Sequence, residues 1–475
     1  MVVGEVAVET DVVVIGGGPG GYAAAIRLGQ LGRSVTLIEK DTLGGVCLNR
    51  GCIPSKALIH TADEFHKVKD AHRMGIRFSG ELLPLDLGAW QDWKGAIVSQ
   101  LNEGVAQLCE KNGVSVVKGE AVFLSENRIG VETGGDFETY KFEQAIIATG
   151  SRPFSPTTLK IDDEYVLDST SILKLQEVPK TLAIVGGGYI GIELGMALAK
   201  LGTDVTIIEM ADRILSQVSE HLVNVVERKA KKLGIVIKTS TKVEIAEIGN
   251  GKVFLRLANG NETEVIESEK VLVTIGRLPN TTGIGLEQAG VKTDDRGFIE
   301  VDAQCRTNIP HLYAIGDITP GPALAHKASK QGIVAAEVIG GLPSAFDTPF
   351  VPYVIFSDPQ IAGVGLSAED AREAGYEVKT GRFPFKANGR ALATNESDGF
   401  AEVVVDVKTH ILLGMHVVGP DASNLIGEGV LALELAARVE DIALTVHAHP
   451  TLSEGWLEAA EAALGHAIHI VNKKK

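Results

Sequence analysis

An α/β fold is predicted by two copies of one pattern: an apolar strand, a glycine loop, a helical stretch and a second apolar strand ending on an acidic residue, at 11–39 and again at 182–209. That order of elements is the Rossmann-like unit. From residue 351 the pattern changes to alternating runs such as Phe400-Ala-Glu-Val-Val-Val-Asp and Ile411-Leu-Leu-Gly-Met-His-Val-Val, which predict an antiparallel sheet. The stretch 425–446 then reads as an amphipathic helix, completing a C-terminal α+β unit. With 475 residues, 45% of them hydrophobic, and 54 glycines, the chain is long enough for roughly three well-packed domains with many tight turns.

In the first copy Asp11-Val-Val-Val-Ile15 runs into Gly16-x-Gly18-x-x-Gly21, and Ser34-Val-Thr-Leu-Ile ends on Glu39. In the second, Leu182-Ala-Ile-Val precedes Gly186-x-Gly188-x-x-Gly191, and Asp204-Val-Thr-Ile-Ile ends on Glu209. Each acid lies 18 positions beyond its third glycine. A buried strand must turn tightly into a helix whose N-terminus faces a pyrophosphate, and glycines permit that approach. The carboxylate at the end of the second strand accepts hydrogen bonds from ribose hydroxyls. Two dinucleotides are therefore expected. Glu209 suits a free 2′-hydroxyl and repels a 2′-phosphate, which favours NAD over NADP.

About 25 residues after the first loop comes Gly-Gly-Val-Cys47-Leu-Asn-Arg-Gly-Cys52-Ile-Pro-Ser-Lys56. A disulfide needs Cα atoms about 4.4–6.8 Å apart, whereas positions i and i+5 of a regular helix differ by about 7.5 Å in rise alone. A bridge requires a distorted turn, which Gly51 supplies, and Pro54 suits the first turn of a helix after the second sulfur. Cys52 then lies near a positive helix end, which favours the reactive thiolate. The same spacing also reads as two buried thiols of a helix. Its place beside a glycine loop points instead to a redox dithiol next to a flavin.

This stretch resembles the active-site signature of the class I pyridine nucleotide-disulfide oxidoreductases, in particular the members acting on dihydrolipoamide, and the likeness continues to the C-terminus. The resemblance implies that Cys47 is the interchange thiol and that Cys52 faces the flavin as the charge-transfer thiolate. It assigns FAD to Gly16, Gly18, Gly21 and Glu39, with Lys56, Gly119, Thr149, Gly150, Asp317 and Ala325. It assigns NAD to Gly186, Gly188, Gly191, Glu193, Glu209 and Gly276. Asp317, at the end of Leu312-Tyr-Ala-Ile-Gly-Asp, would bond the ribityl chain; unaided it reads as a turn aspartate. Lys56 and Glu193, unaided, read as ordinary helix residues, and the family pairs them near the flavin. Implied domains are 1–150 for FAD, 151–276 for NAD, 277–350 completing the FAD site, and 351–475 for the dimer interface.

His447-Ala-His449-Pro-Thr-Leu-Ser-Glu454 opens an alanine-rich stretch. A thiol with a pKa near 8.5 needs a base before it can attack a disulfide, and histidine titrates in the useful range. Thr451-x-x-Glu454 is also a capping box, in which the glutamate would bond backbone rather than histidine. Resemblance to the family's HPTxxE signature selects His449 over His447 as the base and Glu454 as its partner. It further implies a homodimer in which this histidine enters the partner's site.

A net charge of −16 argues against binding a phosphate backbone, so no nucleic-acid partner is expected. Four cysteines suit one reactive pair in a reducing compartment, with Cys109 and Cys305 as ordinary buried thiols. The N-terminus lacks the basic region of a signal peptide and the arginines of a transit peptide, and a cytoplasmic protein is expected. The apolar stretch 181–202 carries Glu193 and Lys200 around a nucleotide loop, which argues against a membrane span. Lys473-Lys474-Lys475 reads as a solvated tail. No metal site is expected. The resemblance implies oxidation of protein-bound dihydrolipoamide with FAD and NAD, serving a lipoyl-bearing acyltransferase or the glycine cleavage carrier. The alternatives are a related NAD(P)H-dependent disulfide reductase or a flavoprotein acting mainly as an assembly subunit.

Overall fold

The computed structural model describes residues 7–77 and 84–472, so the first six residues and the Lys473–Lys475 tail lie outside the described residues. The first glycine-loop pattern builds a seven-stranded sheet. Its parallel path runs Val114–Lys118, Val35–Glu39, Ala7–Ile15, Asp136–Ile147, with Leu312–Ala314 beside the end of the last strand. Arg128–Thr133 and Glu120–Ser125 extend the other edge antiparallel. Val12, Val13 and Val14 are fully buried, which is why this strand is apolar at consecutive positions: both faces of the sheet are covered.

The second pattern builds the same arrangement again. Val236–Lys238, Asp204–Ile208, Thr181–Val185, Lys270–Val273 and Val166–Leu167 pair in parallel, and a three-stranded antiparallel sheet, 242–268, follows. Helix Tyr189–Leu201 packs between the parallel sheet and helix Cys52–Asp70, which accounts for its apolar character. Lys200, at its end, is buried against Asp63 and Asp358. No described helix is long and apolar enough to cross a membrane.

Segment 277–350 is shared between neighbours. Arg277–Pro279 pairs antiparallel with Ser151–Pro153 at the junction of the two nucleotide units. Leu312–Ala314 joins the first sheet, and helix Ala325–Ile339 lies against helix Pro19–Gln30. That contact is close because glycines form it: a Cβ on Gly20 would stand 2.9 Å from the Ala328 carbonyl oxygen, and one on Gly332 would collide with the Gly20 carbonyl.

The C-terminal unit is a five-stranded antiparallel sheet ordered Tyr353–Ile355, Gln360–Gly365, Leu412–Gly419, Phe400–Asp406, Val378–Pro384. Helix Glu454–Leu464 seats on Gly381, and Trp456, 1% exposed, donates its indole N–H to the Leu425 carbonyl at 3.1 Å. The stretch expected as one helix over 425–446 is two, Ala422–Glu434 and Val439–Leu444, broken where Ala436 takes φ +49°. Leu431, Leu435, Leu444, Val446 and Ile468 leave most of their apolar surface exposed on this unit.

Candidate active site

The two glycine loops share the same local geometry. Gly16 and Gly186 adopt φ +102° and +109°, and a Cβ on either would strike the carbonyl of Ala148 or Thr274. A Cβ on Gly21 or Gly191 would strike the carbonyl of Gly16 or Gly186. Gly18 and Gly188 differ, because an added Cβ would meet only the Gly45 Cα at 3.9 Å in the first case and nothing within 4 Å in the second. Packing does not require those two glycines, and each stands at a helix N-terminus with no side-chain cap. The first-turn amides are thereby left facing outward, as a pyrophosphate requires. The acids are equally alike. Glu39 accepts from the Gly17 amide at 2.7 Å and the Asp41 amide at 2.8 Å. Glu209 accepts from the Gly187 amide at 2.6 Å and the Ala211 amide at 2.7 Å. Each carboxylate is fixed against its loop and keeps a second lone pair on each oxygen for a ribose hydroxyl.

A cavity of about 610 Å³ brings together most of the residues read from the sequence. Gly16, Gly18, Gly21 and Glu39 line it, with Gly119, Thr149, Gly150, Asp317 and Ala325. Cys47, Cys52, Lys56 and Glu193 line the same cavity. Glu193, read with the second nucleotide unit, thus faces the first cavity. Gly186, Gly188, Gly191, Glu209 and Gly276 lie outside it, on the second loop and the strand junction. Tyr189, directly after Gly188, reaches in and joins the two units at one site.

Helix Gly45–Arg50 ends at Gly51, whose φ −134° and ψ −108° break the helical path, and helix Cys52–Asp70 begins at once. This is the distortion expected at Gly51, and it sets Cys52 at the first position of the long helix. Both cysteines are thiols, and they share a hydrogen bond. Cys52, exposed to the cavity, is pulled down to about 7, first by the hydrogen bond from Cys47 and then by Lys56, against the opposing effect of burial. Cys47 is pushed up by the same bond and by burial. One negative charge on the pair therefore resides on Cys52.

Lys56, one turn along the same helix, places Nζ 2.8 Å from Glu193 Oε2 and 4.5 Å from the centre of the Phe356 ring. Glu193 is 3% exposed, and its other oxygen accepts from the Phe356 amide at 2.9 Å. Across the cavity Ser151 donates to Asp317 Oδ2 at 2.5 Å, and Arg277 donates to Ser151 Oγ and to its carbonyl, each at 2.7 Å. Ser151 and Arg277 thus belong to the site, although sequence reasoning passed over them as site residues.

His449 Nδ1 lies 2.9 Å from Glu454 Oε1, while Glu454 Oε2 accepts from the Thr451 amide at 2.8 Å. Glu454 thus bonds histidine with one oxygen and backbone with the other. The helix starts at Glu454 after Ser453, so Thr451 is not its N-cap and the motif is not a capping box. His447 is held by Glu428 at 2.8 Å and by the Thr445 carbonyl at 3.0 Å. His449 and Glu454 do not line the cavity of their own chain, and the His449 side chain is 77% exposed.

Residues 10–332 match the family model described as pyridine nucleotide-disulphide oxidoreductase, and residues 351–460 match that of its dimerisation domain. The chain is 50% identical to dihydrolipoyl dehydrogenase of Geobacillus stearothermophilus and 47% identical to that of Halobacterium salinarum, covering all of each chain in both comparisons. Among solved structures, LpdA from Mycobacterium tuberculosis superposes with TM-score 0.89 at 26% identity, covering 95% of this chain and 99% of that one. The flavoprotein disulfide reductase RclA from Escherichia coli gives 0.84 at 26%, with the same coverage. With two glycine loops, a thiol pair between them and these matches over nearly its whole length, the chain belongs to the pyridine nucleotide-disulphide oxidoreductase family.

Proposed function

We propose that the protein oxidises protein-bound dihydrolipoamide to lipoamide and reduces NAD+ to NADH, with FAD in the first glycine-loop site and NAD at the second. The observation that carries this reading is the thiol pair with an acidic Cys52, opening into the cavity that the first glycine loop lines. When bound, FAD would supply the two-electron acceptor chemistry that links the thiol pair to NAD+. Gly16, Gly18 and Gly21 would admit its pyrophosphate, Glu39 would hold its ribose, and Asp317, held by Ser151, its polyol chain. Thr149, Gly150 and Ala325 border it. Gly119 lines the cavity, and its amide bonds the Glu39 carbonyl at 3.0 Å. Lys56 offers a positive charge beside the thiol pair. Gly186, Gly188, Gly191, Glu209 and Gly276 form the NAD side.

The chemistry at sulfur balances without further reagents. With Cys47 and Cys52 joined as a disulfide, one substrate thiol gives its proton to a base and attacks Cys47 Sγ. The bond to Cys52 breaks, and Cys52 leaves as thiolate, the form its surroundings favour. The second substrate thiol then attacks the mixed disulfide, which releases lipoamide and leaves Cys47 to take a proton. Two electrons and one proton remain on the pair. His449, fixed by Glu454, is the base. Because it lies outside its own chain's cavity, we assign it to the cavity of a second copy, in a homodimer formed through the exposed leucines of the C-terminal unit. A lipoyl-bearing acyltransferase or the glycine cleavage carrier delivers the substrate. Only four cysteines in 475 residues suit one reactive pair in a reducing compartment, and we place the enzyme in the cytoplasm.

Disulfide reduction in the opposite direction is the competing reading, supported by the fold shared with RclA. Glu209 disfavours NADPH, and the 50% identity to a dihydrolipoyl dehydrogenase outweighs 26% to the reductase. Steady-state rates with dihydrolipoamide and NAD+ against glutathione disulfide and NADPH decide between them. The proposal fails if the second pair is the faster.

A further inference from the structure

A second hollow, of about 500 Å³, lies where helix Glu220–Lys232 of the second nucleotide unit faces strands Val378–Pro384 and Phe400–Asp406 of the C-terminal unit. It shares no residue with the active-site cavity. Its lining is cationic in a chain whose net charge is −16. His221, Arg228 and Lys232 fall on one face of the helix and look across at Arg382 and Lys386. The carboxylates nearby are already committed. Glu402, 1% exposed behind the wall, holds His221 at 3.1 Å and Arg382, while Asp398 lies 3.5 Å from Lys232. Phe400 forms the floor, stacked on the His221 imidazole at 5.7 Å with the Arg382 guanidinium 5.3 Å from its ring centre. Arg228 and Lys386 have no ion-pair or hydrogen-bond partner among the described residues.

Lysines in the last turn of a helix are ordinarily explained by its dipole. That explanation serves Lys232 and leaves out Arg382 and Lys386, which come from another unit and converge on the same space. Four permanent cations set against Asp398 and Glu402 leave two positive charges uncompensated around one concave volume. Like charges so arranged repel unless an anion lies between them. Arginines and lysines that surround a hollow suit the tetrahedral oxygens of a phosphate group, by bidentate contact and as point charges respectively.

We infer that this hollow binds a small polyanion of the phosphate class, one carrying at least two negative charges, and that the ligand bridges the second nucleotide unit to the C-terminal unit. The test is calorimetric titration of the holoenzyme with inorganic pyrophosphate, with NAD+ at saturation so that the glycine loops are occupied. The expected result is saturable binding of one pyrophosphate per chain that weakens as salt is added. Arg228→Gln and Lys386→Gln should each weaken it about tenfold, the worth of one charged hydrogen bond. Both side chains are exposed and without a partner among the described residues, so the fold survives their loss. Lys292→Gln, which removes an exposed charge far along the chain, should leave binding unchanged. Absence of saturable heat overturns the inference. So does binding that the two hollow substitutions do not alter, or that Lys292→Gln weakens equally.

Discussion

Replacing Lys56 by methionine tests whether Cys52 owes its acidity to its surroundings. Two charges act on Cys52 with opposite sign, Lys56 lowering its pKa and Glu193 raising it, and they sit 2.8 Å from each other. A lone opposite charge within about 4–6 Å moves an acid by about 1–3 pH units. Glu193 offsets part of the lysine's effect, so the lower end applies to the pair. Removing Lys56 deletes the favourable charge and leaves the unfavourable one. The ionisation midpoint of Cys52 should then climb from about 7 to about 8 or higher, near the ordinary thiol range. Glu193→Gln should move it the other way. The assay is the rate of iodoacetamide alkylation at Cys52 in reduced enzyme, read by mass spectrometry of its peptide across pH. The sign also fixes a stability effect. An acid depressed in the folded state contributes stability that is complete above its unfolded pKa and lost as pH falls through the folded one. For Cys52 that loss runs from the ordinary thiol range down to about 7, and Lys56→Met narrows the window. Midpoints that stay in place in both variants, or that move in the same direction, would refute the electrostatic account.

Glu209→Arg should weaken NAD binding by about 10- to 150-fold, the worth of a charged hydrogen bond, and raise relative use of NADP; an unchanged cofactor ratio in steady-state kinetics places ribose recognition elsewhere. Gly188→Ala should weaken NAD binding while leaving the melting temperature alone, because a Cβ there meets no protein atom within 4 Å. The Glu454 carboxyl is raised by burial but lowered by more through the Thr451 amide and His449, so it stays below the usual carboxylate range. Its stability contribution is complete above about pH 4.5 and disappears on further acidification, and acid unfolding of Glu454→Gln should lack that component. Cys47→Ser and His449→Ala homodimers should each be nearly inactive, whereas their purified heterodimer should recover about half the wild-type rate, since one of two composite sites is then intact; a heterodimer as inactive as its parents contradicts a shared site.

The legible parts of this chain are those whose physics is local. A glycine that must take φ near +100° beside a carbonyl, and an acid that must close onto the loop it follows, announce themselves within about thirty residues, and they do so twice. Gly51 is legible for the same reason. The helix break at Ala436 was not, because nothing in Leu435-Ala-Ala-Arg signals it. What holds Ala436 at φ +49° is contact with a distant strand: the Leu412 amide bonds the Ala437 carbonyl, and the Val439 amide bonds that of His410, both at 2.9 Å. Those two bonds offset a left-handed conformation that costs about 1 kcal/mol in isolation. Local pattern was also a partial guide at Glu454, where it anticipated the bond to Thr451 and misplaced the helix start.

The charges that govern the site belong to the other class, those set by packing between distant segments. Lys56 and Glu193 lie on two helices that meet only because one nucleotide unit docks on the other, and neither helix carries a mark of the contact in its own periodicity. The chain Arg277, Ser151, Asp317 draws on three segments in the same way. This division has a chemical consequence. The glycine loop and the closing acid of each nucleotide site lie within one unit. Acidity at Cys52 depends on Glu193 and Lys56 together, and so on the docking of the two units. A substitution that loosens that docking, such as one at buried Lys200 where it joins Asp63 to Asp358, should therefore alter the pH dependence of the thiol before it alters the affinity for either nucleotide.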